Sequence, residues 1–404
     1  MSPAPDTKSI IPEKIRQGVP PALCLLAGFL TPFLVPLVGQ LPLGEVILVL
    51  ISPWVILAAI MHRGWAAILQ QTNWFKILVA LIAIMFFGYF VSDWYRHTST
   101  PNLIRGWARV IFLGLDLLSL SYLFGAKWSR FWMFLLAAVI GRAVQATIYG
   151  PVNDDYWKFG YGFTVSVLAL FFAGRRSIFL QVSLCLALGV LHLFMGARSM
   201  GGICLLTGGL LTVHRARGLW RPLTWAIAMA GVALLLWSIQ SRVEDEQNHS
   251  GSNVERQAML ETAGDLFLDS PLIGQGSWFT TRKLAKLEEK RRNIDGTFLE
   301  YTAEEAEQIA IHSQLLVSLA EGGILGGVFF VGYGIFLLVT FRSASSDPIP
   351  RRALVLFLLG DAFWNLLMSP FASEARVWIA LAAVLCLLTF QHNRGLLEEV
   401  PVDE

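Results

Sequence analysis

The chain has 404 residues, of which 55% are hydrophobic and only 15% are charged. Its mean hydropathy of +0.58 is typical of a protein whose main solvent is lipid, and it excludes a soluble globular domain. The formal net charge of +2 is too small to indicate a nucleic-acid-binding surface. The composition therefore predicts an all-α integral membrane protein whose surroundings are the lipid bilayer.

Apolar runs of roughly 20 residues, the length with which a helix crosses a bilayer, recur along most of the chain and predict about twelve transmembrane helices. The predicted spans lie near residues 20–39, 44–61, 75–92, 103–124, 130–149, 160–174, 177–195, 199–214, 222–240, 313–341, 352–369 and 375–391. The predicted organisation is an N-terminal tail (1–19), the first nine spans (20–240), an extramembrane cap (241–311), the last three spans (312–391) and a C-terminal tail (392–404).

Basic residues follow alternate spans, as the positive-inside rule requires of cytoplasmic loops. If the N-terminus is cytoplasmic, the loops on that side contain Arg63, Lys127, Arg130, Arg175, Arg176, Arg215, Arg217, Arg221, Arg342, Arg351, Arg352 and Arg394. This pattern predicts that both termini are cytoplasmic and that the cap lies on the opposite side of the membrane. The four cysteines lie inside apolar runs, with no metal or disulfide spacing.

A smaller set of basic residues falls on the side opposite to the cytoplasm, where short loops should be poor in Lys and Arg unless the charge has a use. These residues are Arg96, Arg105, Arg109, Arg142, Lys158, Arg198 and Arg376. For Arg96 and Arg376 we expect side chains that snorkel to the membrane surface. Arg198 follows Gly196 in a glycine-bracketed turn between two apolar helices, so its guanidinium is expected to face a cavity or the surface.

The cap contains patterns that indicate folded structure. A helix is expected from an Asn253 cap to Asp269, where Ser270-Pro271 ends it, and the residues Gly274–Gly276 are expected to form a turn. A second polar helix is expected near 298–309. The segment therefore predicts a small helical domain lying on the membrane.

Two polar residues stand out where the cap meets the tenth span. His312 is either a hydrogen-bonded residue at a helix start or a functional histidine, and the sequence leaves both open. Glu321 lies about two and a half turns into an apolar helix, where a carboxylate needs a partner or water. A structural role, in which Glu321 orients the chain and does not act chemically, is open.

Three segments of the chain resemble motifs of the O-antigen ligase and polysaccharide polymerase superfamily, and they occur in that family's order. Asp269–Phe279 resembles its "hPllGvGpgnF" signature, His312–Gly326 resembles its "HNxxLxxLxExGxxG" segment, and Gly196–Gly201 resembles its "SRG" turn. The resemblance covers the second half of the chain, from about Tyr149 onward. Ser313 stands where the family usually has Asn.

The resemblance implies a glycan transferase at the periplasmic face of a bacterial inner membrane. The implied donor is a glycan linked to undecaprenyl diphosphate, and the implied acceptor is a hydroxyl of the lipid A-core. Arg198 and Arg256, which match the family's functional arginines, would hold the diphosphate by forked hydrogen bonds, and His312 would be the general base. No pair of acidic residues has the spacing of a divalent-metal site, so transfer without metal or cofactor is expected.

Further binding residues are expected around these three. The next candidates for binding the diphosphate are Arg142, Lys158 and Arg105. Arg282 is a candidate for binding acceptor phosphates, and Glu321 is a further candidate for contact with the substrate. A run of charged residues, such as the one around Arg282, more commonly forms the solvent-exposed face of a helix.

Other functions remain open at this point. A polymerase of the same superfamily would join repeat units that stay on the lipid carrier, with a closely similar site. A transporter or flippase of lipid-linked sugars would carry charges along a pathway and often two related halves, and neither pattern is evident. A non-catalytic membrane scaffold would show no special sensitivity at Arg198 or His312.

Introduced cysteines test the predicted orientation. Asn248→Cys and Glu289→Cys are expected to react with a membrane-impermeant maleimide added to intact cells, because the cap lies outside. Arg217→Cys and Ser345→Cys are expected to stay unlabelled until the cells are opened. Labelling of Arg217→Cys in intact cells would show that the orientation is reversed.

Overall fold

The structure is a computed structural model that describes residues 20–37, 39–61, 72–150, 155–215, 250–278, 289, 312–347, 349–371 and 373–394. Within these ranges the regular secondary structure is helical apart from one short hairpin. The helices are α1 Pro21–Leu30, α2 Leu43–Met61, α3 Asn73–Arg96, α4 Thr100–Phe124, α5 Trp128–Tyr149, α6 Gly162–Ala173, α7 Ile178–Phe194, α8 Arg198–Arg215, α9 Ser250–Asp269, α10 Gln314–Ser346, α11 Arg352–Met368 and α12 Ala375–Asn393. A π-helical turn, Trp157–Tyr161, precedes α6.

The helices have the length and composition of a membrane protein. Five of those described, α3, α4, α5, α10 and α12, are long and apolar enough to cross a bilayer. The helix α10 exposes one apolar side, a set of side chains that we call the lipid-facing stripe: Ile324, Val331, Ile335 and Leu338, each about half exposed. Their spacing places them on one helical face, as expected for contact with acyl chains. The described chain is thus an all-α membrane protein.

The first predicted span differs from the structure. A helix was expected over 20–39, but α1 ends at Leu30, and an antiparallel hairpin, β1 Leu34–Leu37 with β2 Gly39–Pro42, follows it. Pro32 is the physical reason, because it has no N–H with which to continue the helical hydrogen bonds. The N–H of Thr31 instead donates to the Gly28 carbonyl at 3.0 Å, which tightens and ends the last turn.

The other predicted helices are confirmed in part. The spans expected from 44–61 to 199–214 and the last three each coincide with a helix. The cap helix ends at Asp269 as expected, but it begins at Ser250, so Asn253 lies within the helix and is not its cap. The span expected at 222–240 and the cap helix expected near 298–309 lie outside the described residues.

Glycines allow the helices to approach closely. Gly28 of α1 lies against the backbone of Phe134 in α5, and Gly141 of α5 lies against the carbonyl of Phe29. A Cβ at either glycine would overlap these backbone atoms. Since lipid gives helices no hydrophobic reason to associate, close packing of this kind supplies much of the contact energy.

The helix α10 is broken near its start. Gly323 has φ 63° and ψ −159°, a conformation that is essentially restricted to glycine. The preceding turn, which contains Glu321, is therefore set off from the long apolar part of the helix. The sequence had predicted one uninterrupted span over 313–341.

Replacing Gly323 tests this break. Gly323→Ala is expected to lower the free energy of unfolding by about 1–3 kcal/mol for the backbone conformation alone. A further loss is expected because the new Cβ would lie 2.5 Å from the Leu272 carbonyl oxygen. The midpoint of thermal unfolding in detergent is the measurement. Gly264→Ala is the matched control, because no atom lies within 4 Å of its Cβ position in α9, and it is expected to be neutral or stabilising. Equal midpoints for Gly323→Ala and the unsubstituted chain would contradict the described break.

Candidate functional site

A loop of nine residues, Ser270–Trp278, fills the break in α10, and we call this loop the clasp. The N–H groups of Gln275 and Gly276 donate to the carbonyls of Ala320 and Glu321 at 2.9 and 3.0 Å. In return, the N–H of Ile324 donates to the Pro271 carbonyl at 2.8 Å. Irregular backbone is tolerated at a membrane boundary only where other groups satisfy it, and the clasp does so for α10.

Glycines make the clasp possible. Gly274 and Gly276 have φ values of 85° and 89°, and a Cβ on Gly274 would overlap the backbone of Glu321. The turn expected at Gly274–Gly276 is therefore confirmed, and the close approach to α10 explains why glycine is needed there.

Two carboxylates hold the end of the clasp. Asp93 of α3 accepts hydrogen bonds from the N–H and the hydroxyl of Ser277 at 2.6 and 2.8 Å, and from the indole N–H of Trp107 at 2.9 Å. Glu321 accepts from the N–H of Trp278 at 3.1 Å through Oε1. Consecutive N–H groups from Gln275 to Trp278 thus all have acceptors, and the loop is fixed in one conformation.

The other oxygen of Glu321 binds Arg109. Oε2 accepts from Nη2 of Arg109 and, at 2.8 Å, from the hydroxyl of Tyr89. Glu321 is fully buried and Arg109 is 3% exposed. The Arg109 guanidinium also lies 4.9 Å from the ring centroids of both Trp278 and Phe371, within the range of cation–π attraction. The expectation that Glu321 needs a partner is confirmed, and the partner is an arginine of α4.

The expectation that Arg376 snorkels is wrong, and the same expectation for Arg96 stays a prediction. Arg96 is exposed at the end of α3, and it also binds the clasp, with Nε donating to the Gly274 carbonyl at 2.9 Å and Nη2 donating to the Ser270 hydroxyl at 2.7 Å. Arg376 is 7% exposed, and its Nη2 donates to Glu45 at 2.6 Å. Both arginines therefore connect distant parts of the chain, and for Arg376 a buried carboxylate is the stronger partner than the membrane surface.

Arg198 lies where the sequence places it. Gly196 has φ 77° and the N–H of Ala197 donates to the His192 carbonyl at 2.8 Å, which is a helix-ending turn of the Schellman type. Arg198 is the first residue of α8 and is half-buried. The glycine-bracketed turn is confirmed.

A histidine that sequence reasoning missed lies beside this turn. His192 is fully buried, its Nδ1 accepts from the indole N–H of Trp157 at 3.0 Å, and its Nε2 lies 2.6 Å from the hydroxyl of Ser166. Because indole can only donate, the proton of a neutral imidazole must be on Nε2. Both ring nitrogens have partners, so His192 fixes the π-helical turn to α6 and α7. The position of His192 inside an apolar run is the feature of the sequence that could have identified it.

Two of the expected binding residues are brought together at the π-helical turn. Nε of Arg142 donates to the Phe159 carbonyl at 3.4 Å, and Nζ of Lys158 lies 4.9 Å from the Phe159 ring. The charge of Arg142 also acts on the carboxylate of Asp361, which accepts from Nδ2 of Asn365 at 2.8 Å. A π-helical turn often marks a functional site, and here both cations lie close to one residue of the turn, Phe159.

The remaining candidates are less closely defined. Arg105 is exposed on α4, one turn before Arg109. His312 is half-buried and precedes Ser313, whose hydroxyl accepts from the N–H of Leu316 at 3.2 Å as the cap of α10. The side chain of Arg256 and the whole of Arg282 lie outside the described residues. Whether His312, Arg198 and Arg256 converge therefore stays a prediction.

The chain was compared with known proteins. No protein-family model matches it, and no curated protein has a significantly similar sequence. Its function must therefore be argued from its own residues and their geometry.

A double-mutant cycle tests the buried ion pair. Arg109→Gln and Glu321→Gln are each expected to lower the free energy of unfolding by about 3 kcal/mol or more, because each leaves the other charge buried and unpaired. The double variant is expected to be more stable than the sum of the two losses implies, by about 1 kcal/mol or more, since two neutral amides can hydrogen-bond. Unfolding by SDS in bicelles measures these values. Arg105→Gln, exposed one turn away, is the control and is expected to change stability by no more than about 0.5 kcal/mol. Strict additivity in the cycle would show that Arg109 and Glu321 do not interact.

Proposed function

We propose that the chain is a membrane glycosyltransferase of the O-antigen ligase type. It would cross the bacterial inner membrane about twelve times and would transfer a glycan from undecaprenyl diphosphate to a lipid A-core hydroxyl at the periplasmic face. One observation carries the proposal: of the three segments whose sequences carry the resemblance, two are bound to each other, because the clasp lies in Asp269–Phe279 and is hydrogen-bonded to His312–Gly326 around Glu321 and to Ile324. Segments that matched the family's motifs by chance would have no reason to form one hydrogen-bonded unit.

The position of the candidate cations supports the same proposal. Short connections, such as His97–Ser99 between α3 and α4 and Met195–Ala197 between α7 and α8, require antiparallel neighbours. The starts of α4 and α8, with Arg105 and Arg198, therefore belong to the end of the bundle at which the clasp lies. A lipid-linked diphosphate presents its charge at the membrane surface, so cations at one end of the bundle suit this substrate.

The proposed chemistry assigns separate work to three residues. The acceptor oxygen forms a bond to the anomeric carbon, the bond from that carbon to the diphosphate breaks, and the acceptor proton moves to His312. Arg198 and Arg256 bind the diphosphate and stabilise the charge that it gains as it leaves. Direct attack of this kind inverts the configuration at the anomeric carbon. A metal ion has no part in these steps, since the arginines neutralise the leaving group.

The buried charges favour a transferase over a transporter. Among the described residues, Glu321 is paired with Arg109 and Glu45 with Arg376, each pair joining separate helices. Charges fixed in this way stabilise a rigid scaffold and do not line a pathway along which an anion could move. A polymerase would use the same proposed chemistry with a lipid-linked acceptor, and the choice of acceptor in an assay separates the two.

A reconstituted transfer assay tests the proposal. Purified protein in liposomes, with a lipid-linked glycan donor and excess chelator, is expected to extend a lipid A-core acceptor. His312→Ala is expected to reduce single-turnover transfer on the order of a hundredfold or more with donor affinity nearly unchanged. Arg198→Lys and Arg256→Lys are expected to weaken donor binding and transfer together, because a point charge cannot replace the fork.

His97→Ala is the matched control, since His97 is an exposed histidine at the same end of the bundle. It is expected to leave transfer unchanged. Normal transfer by His312→Ala would remove its role as the base, and extension of a lipid-linked glycan in place of lipid A-core would identify a polymerase. A strict need for added magnesium would contradict the role given to the arginines.

A further inference from the structure

Large apolar side chains are exposed near the C-terminal end of the cap helix α9. The helix α9 packs through Met259, Ala263 and Leu266, which are almost completely buried. On its other side Leu268 is 71% exposed, and in the clasp Leu272 is 73% exposed. Two leucines with such exposure, only four positions apart in sequence, are unusual on a part of the chain as polar as the cap.

These leucines are held on fixed backbone. The Pro271 carbonyl accepts from the N–H of Ile324, and the N–H of Gly274 donates to the Ser270 carbonyl at 2.8 Å. The carbonyl of Leu272 lies directly against Gly323. The leucines are therefore presented by the same hydrogen bonds that close the break in α10, so their exposure is a built feature of the clasp.

Leu272 lies next to the start of the lipid-facing stripe of α10. Leu272 adjoins Gly323, and the next residue, Ile324, is the first member of that stripe and is 55% exposed. On the neighbouring helix α3, Trp94 and Tyr95 are 76% and 61% exposed close to Arg96, which binds the clasp. Exposed Trp and Tyr at a helix end mark the level of the membrane interface.

We propose that Leu268 and Leu272 insert into the lipid bilayer at the boundary between headgroups and acyl chains. The occupant of this surface is lipid, because Leu272 adjoins the exposed apolar face of a helix that is long and apolar enough to cross a bilayer, and it lies close to the interfacial aromatic residues. An insertion of this kind, roughly 5–10 Å deep, is how amphipathic elements bind membranes. The cap is thereby fixed to the membrane at a second point beside α10, with its opposite side turned toward the bundle. This inference stands independently of the proposed function.

Lipid-attached quenchers test the insertion. The four native cysteines are buried, so a single introduced cysteine can be labelled with an NBD fluorophore. Leu272→Cys and Leu268→Cys, in phosphatidylcholine–phosphatidylglycerol vesicles, are compared with Val331→Cys on the lipid-facing stripe and with Asp265→Cys, an exposed polar position on α9. The quenchers are doxyl groups near the lipid carbonyls and iodide in the water.

The expected result is doxyl quenching at Leu272 and Leu268 that approaches the level at Val331 and exceeds that at Asp265 roughly threefold or more. Iodide should quench strongly only at Asp265. Strong iodide quenching and weak doxyl quenching at Leu272 would overturn the proposal. Shielding from both quenchers would also overturn it, and cross-linking would then show whether a second copy or another part of the chain covers the leucines. Both substitutions remove exposed side chains, so folding is expected to persist, and the unfolding midpoint checks this.

Discussion

A helix that is interrupted at the edge of a membrane must find donors for the carbonyls that the interruption frees. In this chain the interruption is at Gly323, and the carbonyls of Ala320 and Glu321 turn away from the helix. Water is scarce in that environment, so an unsatisfied carbonyl would cost several kcal/mol. The N–H groups of the clasp donate to these carbonyls. Many of the other polar contacts described above hold the clasp in place.

The side chains around the clasp form one connected network. Asp93 fixes Ser277, Glu321 fixes Trp278, and Arg96 fixes the start of the loop. Arg109 then balances the charge of Glu321, which is fully buried. Networks of this kind are costly when partly satisfied and specific when complete. The helix α9 and the clasp are thus joined to the other helices by interactions that tolerate little variation.

Much of the fold could be predicted from the sequence, and the failures have local causes. Long apolar runs identified the helices from α3 to α8 and from α10 to α12. In lipid no water can hydrogen-bond the backbone, so a long apolar segment forms a helix. Pro32 ends the first helix early. A count of apolar residues takes no account of the position of a proline. The snorkelling expected of Arg376 failed because a rule about span ends does not include its partner Glu45, which lies 331 residues away in sequence.

The candidate site was predictable to a similar degree. A carboxylate within an apolar helix indicated that Glu321 needs a partner, but Arg109 is 212 residues distant, and only the folded chain identifies it. The break at Gly323 was hidden for the same reason, since its conformation is stabilised by a loop about fifty residues earlier in sequence. The glycine turns at Gly196 and Gly274–Gly276 were predicted correctly, because a turn of this type depends on its own residues.

Hydrogen exchange of the clasp amides tests most directly whether this loop closes the broken helix. The intact protein in lipid nanodiscs would be transferred to deuterated water, and a peptide covering Gln275–Trp278 would be followed by mass spectrometry. Because all four amide groups donate to α3 or α10, their exchange is expected to be roughly a thousandfold or more slower than that of an unstructured chain. Complete exchange within seconds, at the rate of unfolded peptide, would show that the clasp is not docked and would contradict the account.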